Sequence, residues 1–174
     1  MIIDSSSLII FAKINKLDLL FKIYKDIIIT KAIYNEVIEG GREINAPDYK
    51  IIKEYIDNKK ITLSLLNKEN EILSKSLQNK YSLGIGESEA IALALQQKDK
   101  TIIIDERLAR QICRLYNLIP TGSLKILLIA FKKGILTEFE VKNSMEEMLK
   151  NKFRISGEII NKFWNIFEKI KGEK

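Results

Sequence analysis

Thr101-Ile102-Ile103-Ile104-Asp105-Glu106-Arg107 is an unbroken apolar run that stops on two acids and passes into a helix-like segment. A run without polar alternation marks a strand buried on both faces, and such strands belong to parallel sheets covered by helices. The theme occurs twice more. Ile2-Ile3 ends at Asp4, before Ser5-Ser6-Ser7 and the apolar stretch Leu8-Ile9-Ile10-Phe11-Ala12. Ile27-Ile28-Ile29 ends at Thr30, before a helix-like segment that carries Glu36 in its second turn. Strands alternating with helices predict an α/β fold whose central parallel sheet is covered on both faces.

Two of these strands end on carboxylates, Asp4 and Asp105. A third acid, Glu36, lies on the helix after a strand. A fourth, Glu87, follows the break Gly84-Ile85-Gly86 and opens an alanine- and leucine-rich helix to about Gln97. In the first turn of that helix an anion is favoured by the dipole. Sites in open α/β sheets form beyond the carboxyl ends of the strands, so positions remote in sequence can converge there. Crowded carboxylates raise one another's pKa, and a bound divalent cation is the natural way to keep them ionised. Taken singly, each acid also reads as a solvated or capping residue; their joint placement carries the expectation of a metal site.

Composition narrows the chemistry. There is no histidine, which excludes an imidazole base, a Ser-His-Asp triad and a histidine-based zinc site. The single cysteine, Cys113, shares a helical segment with Leu108, Ile112 and Leu115 and reads as a packing residue rather than a nucleophile. One cysteine permits no disulfide within the chain, which fits a reducing setting. The 174 residues suit one domain with a sizeable core, read here as residues 1–174 with a core to about 134 and a helical extension over about 135–174. The first residues enter a strand without a basic leader, and no apolar stretch is long enough to span a bilayer, so a soluble cytoplasmic protein is expected. The net charge of +6 and a pI near 9.2 favour polyanionic partners. An acidic cluster in a basic protein is the arrangement that holds metal ions while attracting phosphates to them.

Between these anchors the sequence predicts a helix over 31–39 closed by Gly40-Gly41, a helix opened by Pro47, an edge strand at 61–63 and a helix capped by Asn67. Further on come a short extended segment at 118–120, a helix from Ser123 to Lys133 closed by Gly134, and a helix from Thr137 whose capping box uses Glu140. The last helix begins at Ser156 and carries Ile159, Ile160, Phe163, Trp164, Phe167 and Ile170 as one apolar stripe, read as core or as a partner surface. Arg107, Arg110 and Arg114 fall on one helical face. They either contact phosphates or pair with nearby acids.

These residues carry a resemblance. Ile2-Ile3-Asp4-Ser5-Ser6, Gly86-Glu87-Ser88-Glu89-Ala90-Ile91-Ala92-Leu93-Ala94, Asp105-Glu106-Arg107-Leu108-Ala109-Arg110 and Thr121-Gly122-Ser123-Leu124 occur in the order seen in PIN domains. More narrowly, the chain resembles the prokaryotic subgroup of VapC-type toxin nucleases, over residues 1 to about 134 with a weaker echo at Phe153-Arg154-Ile155-Ser156.

The resemblance implies a three-layer α/β/α PIN-like fold with a central parallel sheet and additional C-terminal helices. It implies an Mg²⁺- or Mn²⁺-dependent endoribonuclease whose metal ligands and catalytic residues are Asp4, Glu36, Glu87 and Asp105, with Ser6 or Ser5 orienting Asp4. Glu89 competes with Glu87, and Glu106 with Asp105. RNA is then the substrate, an antitoxin protein a candidate partner, and a homodimer the expected assembly, with apolar residues such as Leu17, Leu20, Phe21 and Ile51 shared between core and partner. The alternative is a PIN-like scaffold that binds RNA or regulates without cutting. A phosphoryl-accepting α/β protein using Asp4 or Asp105 is a further rival, but the chain shows no lysine motif after a later strand.

Overall fold

A computed structural model describes residues 1–173. The chain runs β1 (Ile2–Ile3), α1 (Ser5–Lys13), α2 (Leu17–Ile23), β2 (Ile27–Ile29), α3 (Lys31–Tyr34), a π-helical stretch (Asn35–Gly40), α4 (Gly41–Glu43) and α5 (Pro47–Asp57). It continues with β3 (Ile61–Leu63), α6 (Lys68–Tyr81), α7 (Ile85–Gln96), β4 (Thr101–Ile103), α8 (Arg107–Leu115) and β5 (Ile119–Thr121). Three helices close it, α9 (Ser123–Lys132), α10 (Glu138–Lys150) and α11 (Gly157–Gly172).

The five strands form one all-parallel sheet in the order β3-β2-β1-β4-β5, sandwiched between helices as a three-layer α/β/α fold. The apolar runs behave as their lack of alternation requires: Ile2, Ile3, Ile102 and Ile103 in the two central strands are wholly buried. The sheet margins differ. On the outer strand β3, Leu63 is 39% exposed, and β5 tolerates Pro120 because an edge position asks less of the missing N–H. Helix α7 packs against β1 and β4 with Ala90, Ile91, Ala92, Leu93 and Ala94 all buried. Short alanines allow that close approach.

Topology places the site. From β1 the chain builds outward through β2 to β3, then returns across α6 and α7 to build β4 and β5 on the other side. The order therefore reverses between β1 and β4, and in parallel α/β sheets the crevice at such a reversal, beyond the strand ends, is where ligands bind. Asp4 follows β1, and its backbone N–H donates to the Ile103 carbonyl of β4 at 2.9 Å; Asp105 lies just beyond the same strand.

One helix end differs from its sequence signal. Gly40-Gly41 does not close the helix that begins at Lys31: both glycines keep right-handed helical angles, and the chain passes through the π-helical stretch into α4. What demands glycine at 41 is space, since a Cβ there would stand 2.7 Å from Tyr49 Cβ. The apolar residues expected to serve both the core and a partner divide, Leu17 and Leu20 lying in the core and Phe21 and Ile51 half-buried. Phe21 stacks on Tyr55 with ring centroids 5.6 Å apart. The other end signals hold: Asn67, Thr137 and Ser156 cap their helices, Pro47 opens α5, and Gly134 follows α9 with φ +71°. The stripe on the last helix is mainly core, with Phe163 and Phe167 buried and Phe167 lying 4.5 Å from the Phe131 ring of α9. Among the described residues, no helix is long and apolar enough to cross a membrane.

Candidate active site

Asp4 is both the N-cap of α1 and the buried centre of the strand-end crevice, 2% exposed. Its Oδ1 accepts the Ser7 backbone N–H at 2.8 Å and its Oδ2 the Ser6 hydroxyl at 2.9 Å. Of the two serines expected to orient it, Ser6 does so. Burial, and then the neighbouring charge of Asp105, push the Asp4 carboxyl up to about 7 against the opposing pull of the serine hydrogen bonds.

Asp105 is held from three sides. The Ser7 hydroxyl donates to its Oδ2 at 2.8 Å, the Ser123 backbone N–H to its Oδ1 at 2.8 Å, and the Ser123 hydroxyl to Oδ2 as well. Ser123 is the first residue of α9, so the carboxylate sits at that helix's positive end. Adjacent Gly122 permits the approach, because a Cβ there would meet Asp105 Oδ1 at 3.0 Å and Arg110 Nη1 at 2.8 Å. Ser7 and Ser123 are functional residues that local sequence does not single out. The available signal was a Gly-Ser pair between a strand and a helix; what it could not give was the partner, 18 residues upstream.

The other acids stand on the flanking helices. Glu36 projects from the π-helical stretch toward α7, and its Oε2 lies 3.3 Å from where a Cβ on Gly86 would be. Glu87 accepts the Gly84 N–H at 2.9 Å; burial raises its pKa, that hydrogen bond lowers it, and the charges of Glu106 and Glu36 raise it further. The two competing acids have local duties: Glu89 accepts the Ala32 N–H at the start of α3, and Glu106 caps α8 through the Ala109 N–H. The structure thus brings Asp4 and Asp105 together, whereas Glu36 and Glu87 face each other beside the start of α7, Glu36 lining a separate hollow with Glu89. Among the described residues, no three acidic or thiol side chains stand close enough to hold an ion by themselves.

Whether a divalent cation suits this arrangement turns on its donors. The converging groups are carboxylate and hydroxyl oxygens, the ligand chemistry of a hard ion, and Mg²⁺ commonly uses only one or two carboxylates and keeps its waters. Neither Asp4 nor Asp105 has an ion-pair partner among the described residues, although the Arg110 guanidinium comes near Asp105 beside Gly122. The residues fit a small hard cation. Cys113, by contrast, is fully buried with its thiol pushed up to about 12 by burial, as a packing residue should be.

Basic residues adjoin the acids. Arg107, Arg110 and Arg114 line a cleft of about 610 Å³ that begins at Asp105, and none of them forms an ion pair with an acid among the described residues. Arg114 instead donates to the Arg110 carbonyl at 3.3 Å.

The DUF3368 family model, a PIN domain, matches residues 1–169. No curated protein and no solved structure matches the chain.

Proposed function

The chain belongs to the PIN-domain family, a nuclease fold, and from that premise we propose that it is a metal-dependent endoribonuclease. The observation that carries the proposal is the Asp4–Asp105 pair, two acids without an ion-pair partner among the described residues, at the point where the strand order reverses. In this reading Asp4 and Asp105 hold Mg²⁺ or Mn²⁺, with Glu36 and Glu87 as the surrounding acids that complete the site. Bound there, the ion would supply an acidified water and charge compensation for a phosphodiester. Ser6, Ser7 and Ser123 fix the two carboxylates by hydrogen bonds. Arg107 and Arg110 bring cationic charge to the mouth of the site, where a phosphate must arrive. With no histidine in the chain, no imidazole competes for the role of base.

Two observations favour a second reading, a PIN-like scaffold that binds RNA without cutting it: Glu87 is engaged by the Gly84 N–H, and no three acids cluster among the described residues. Mn²⁺ titration followed by incubation with single-stranded and structured RNA separates the two. Saturable Mn²⁺ binding with fragments appearing only when the ion is present supports the nuclease; Mn²⁺ binding with intact RNA supports the scaffold. A cytoplasmic toxin of the VapC type, controlled by an antitoxin and assembled as a homodimer, is the biological setting we propose. A neighbouring reading frame encoding a small DNA-binding protein, and a dimer mass by light scattering, are the outcomes that setting requires.

A further inference from the structure

Gly122 is a window between two opposite charges. A Cβ there would stand 2.8 Å from Arg110 Nη1 and 3.0 Å from Asp105 Oδ1, so guanidinium and carboxylate face each other over a backbone that has no side chain to part them. No ion pair joins them. The Arg110 guanidinium carries five donors and gives none of them to a described residue. Asp105 accepts hydrogen bonds from Ser7 and Ser123, all of them from neutral groups. Glu106, one turn back on α8, is occupied by the Ala109 N–H. Arg110 also differs from its neighbours on the helix, being half-buried where Arg107 and Arg114 are exposed. A guanidinium cannot shed its charge, so its partial burial is costly until an anion meets it.

We propose that Arg110 is a displaceable counter-ion for Asp105: it closes across Gly122 onto the carboxylate when the site holds no cation and turns out into the mouth when one binds. The inference rests on the reading of Asp4 and Asp105 as cation ligands and adds a control on their loading. A rotamer change of the long arginine side chain is enough to close the gap. Arg110 and a divalent ion are then alternative partners for one carboxylate, and each weakens the other's hold. Ser123 keeps Asp105 in place through the exchange, because its backbone N–H and hydroxyl hold the carboxylate whichever partner is present. An oxyanion arriving at the mouth offers Arg110 a second partner with the geometry a guanidinium prefers. Oxyanion and cation therefore help each other bind, which ties loading of the ion to the arrival of a phosphate.

The test measures Mn²⁺ binding to the full-length wild type, Arg110→Gln, Arg110→Lys and Arg114→Gln by electron paramagnetic resonance, with circular dichroism to check that each keeps the fold. Arg110→Gln should bind Mn²⁺ about tenfold more tightly than the wild type. Arg110→Lys, which keeps the charge, should stay near the wild type, and so should Arg114→Gln, one turn further along the same face. Sulfate in place of chloride at constant ionic strength should tighten wild-type Mn²⁺ binding severalfold and leave Arg110→Gln unmoved. In nitrogen-15 spectra the Arg110 Nε–H signal should shift when Mg²⁺ replaces EDTA while that of Arg114 stays fixed. Wild-type Mn²⁺ affinity in Arg110→Gln would overturn the proposal. So would an equal gain in Arg114→Gln, which reduces the effect to net charge, an equal sulfate effect with and without Arg110, or an Arg110 signal blind to Mg²⁺. None of these readouts needs cleavage, so the two layers fail separately. Tightened Mn²⁺ binding in Arg110→Gln with RNA left intact by the wild type refutes the nuclease and spares the counter-ion, whereas Mn²⁺-dependent cleavage with unchanged affinity in Arg110→Gln refutes the counter-ion and spares the nuclease.

Discussion

Asp4 in the metal-free protein is a carboxylate kept from water beside another, which makes its protonation a stability matter. Its pKa rises from 3.8 to about 7 on folding, so the folded state binds the proton more tightly than the unfolded one. The resulting stabilisation is fully present below about pH 4 and is lost as pH climbs through about 7; at about 1.4 kcal/mol per pH step it amounts to at most about 4 kcal/mol. In EDTA, urea midpoints of the wild type should therefore decline from pH 4 to 7 relative to those of Asp4→Asn, and a constant gap between the two curves would disprove the coupling. The same substitution, and Asp105→Asn, should each abolish RNA cleavage with the fold intact; wild-type activity in either removes that residue from the site. Gly122→Ala is a subtler probe. The new Cβ meets the mobile end of Arg110 and, less forgivingly, an Asp105 oxygen already fixed by Ser123. Cleavage should fall at least about tenfold while the melting temperature moves little, a displacement of about 1 Å being enough for losses of that order; unchanged kcat would show that Asp105 tolerates the shift.

Elements were legible where a side chain announces itself locally. Thr30, Asn67, Thr137 and Ser156 each accept a backbone N–H in the first turn of the helix they open, a signal written within four residues. Helix ends were less legible, because many turn left-handed on residues other than glycine: Asn15, Lys59, Ser82 and Asn117 all have positive φ. Gly40-Gly41 misled for the converse reason, looking like a stop while serving as a close contact. That contact gives a prediction at the same scale. Gly41→Ala puts a methyl 2.7 Å from Tyr49 Cβ, an atom next to the backbone of α5 that cannot swing aside. Destabilisation of about 1–3 kcal/mol is expected by chemical denaturation, since overpacking outweighs the gain in helix propensity. A stabilised variant would mean that α4 and α5 separate freely. The acids at strand ends were visible from sequence because apolar runs mark strands and topology does the rest. The serines that fix Asp105 were not, because a hydroxyl's partner is decided by tertiary placement.

Across the whole molecule, the buried residues form one continuous cluster from Ile2 in β1 to Phe167 in α11, so the last helix is an integral part of the packing. Phe167 meets Phe131 of α9 and stacks edge-on with Trp164, and Phe163 is 3% exposed. Removing one such phenylalanine from a core costs about 3–5 kcal/mol, and deleting the helix removes two while uncovering Phe131 and its neighbours on α9. That loss is a large share of the roughly 5–15 kcal/mol by which domains are stable. A chain ending at Lys152 should therefore aggregate or lose its cooperative melt, although it retains Asp4, Glu36, Glu87 and Asp105. Size-exclusion chromatography with light scattering and a thermal scan read this directly. A truncated protein that stays monodisperse and melts cooperatively would show that the aromatic cluster is dispensable, and would return the stripe to the surface as an interface.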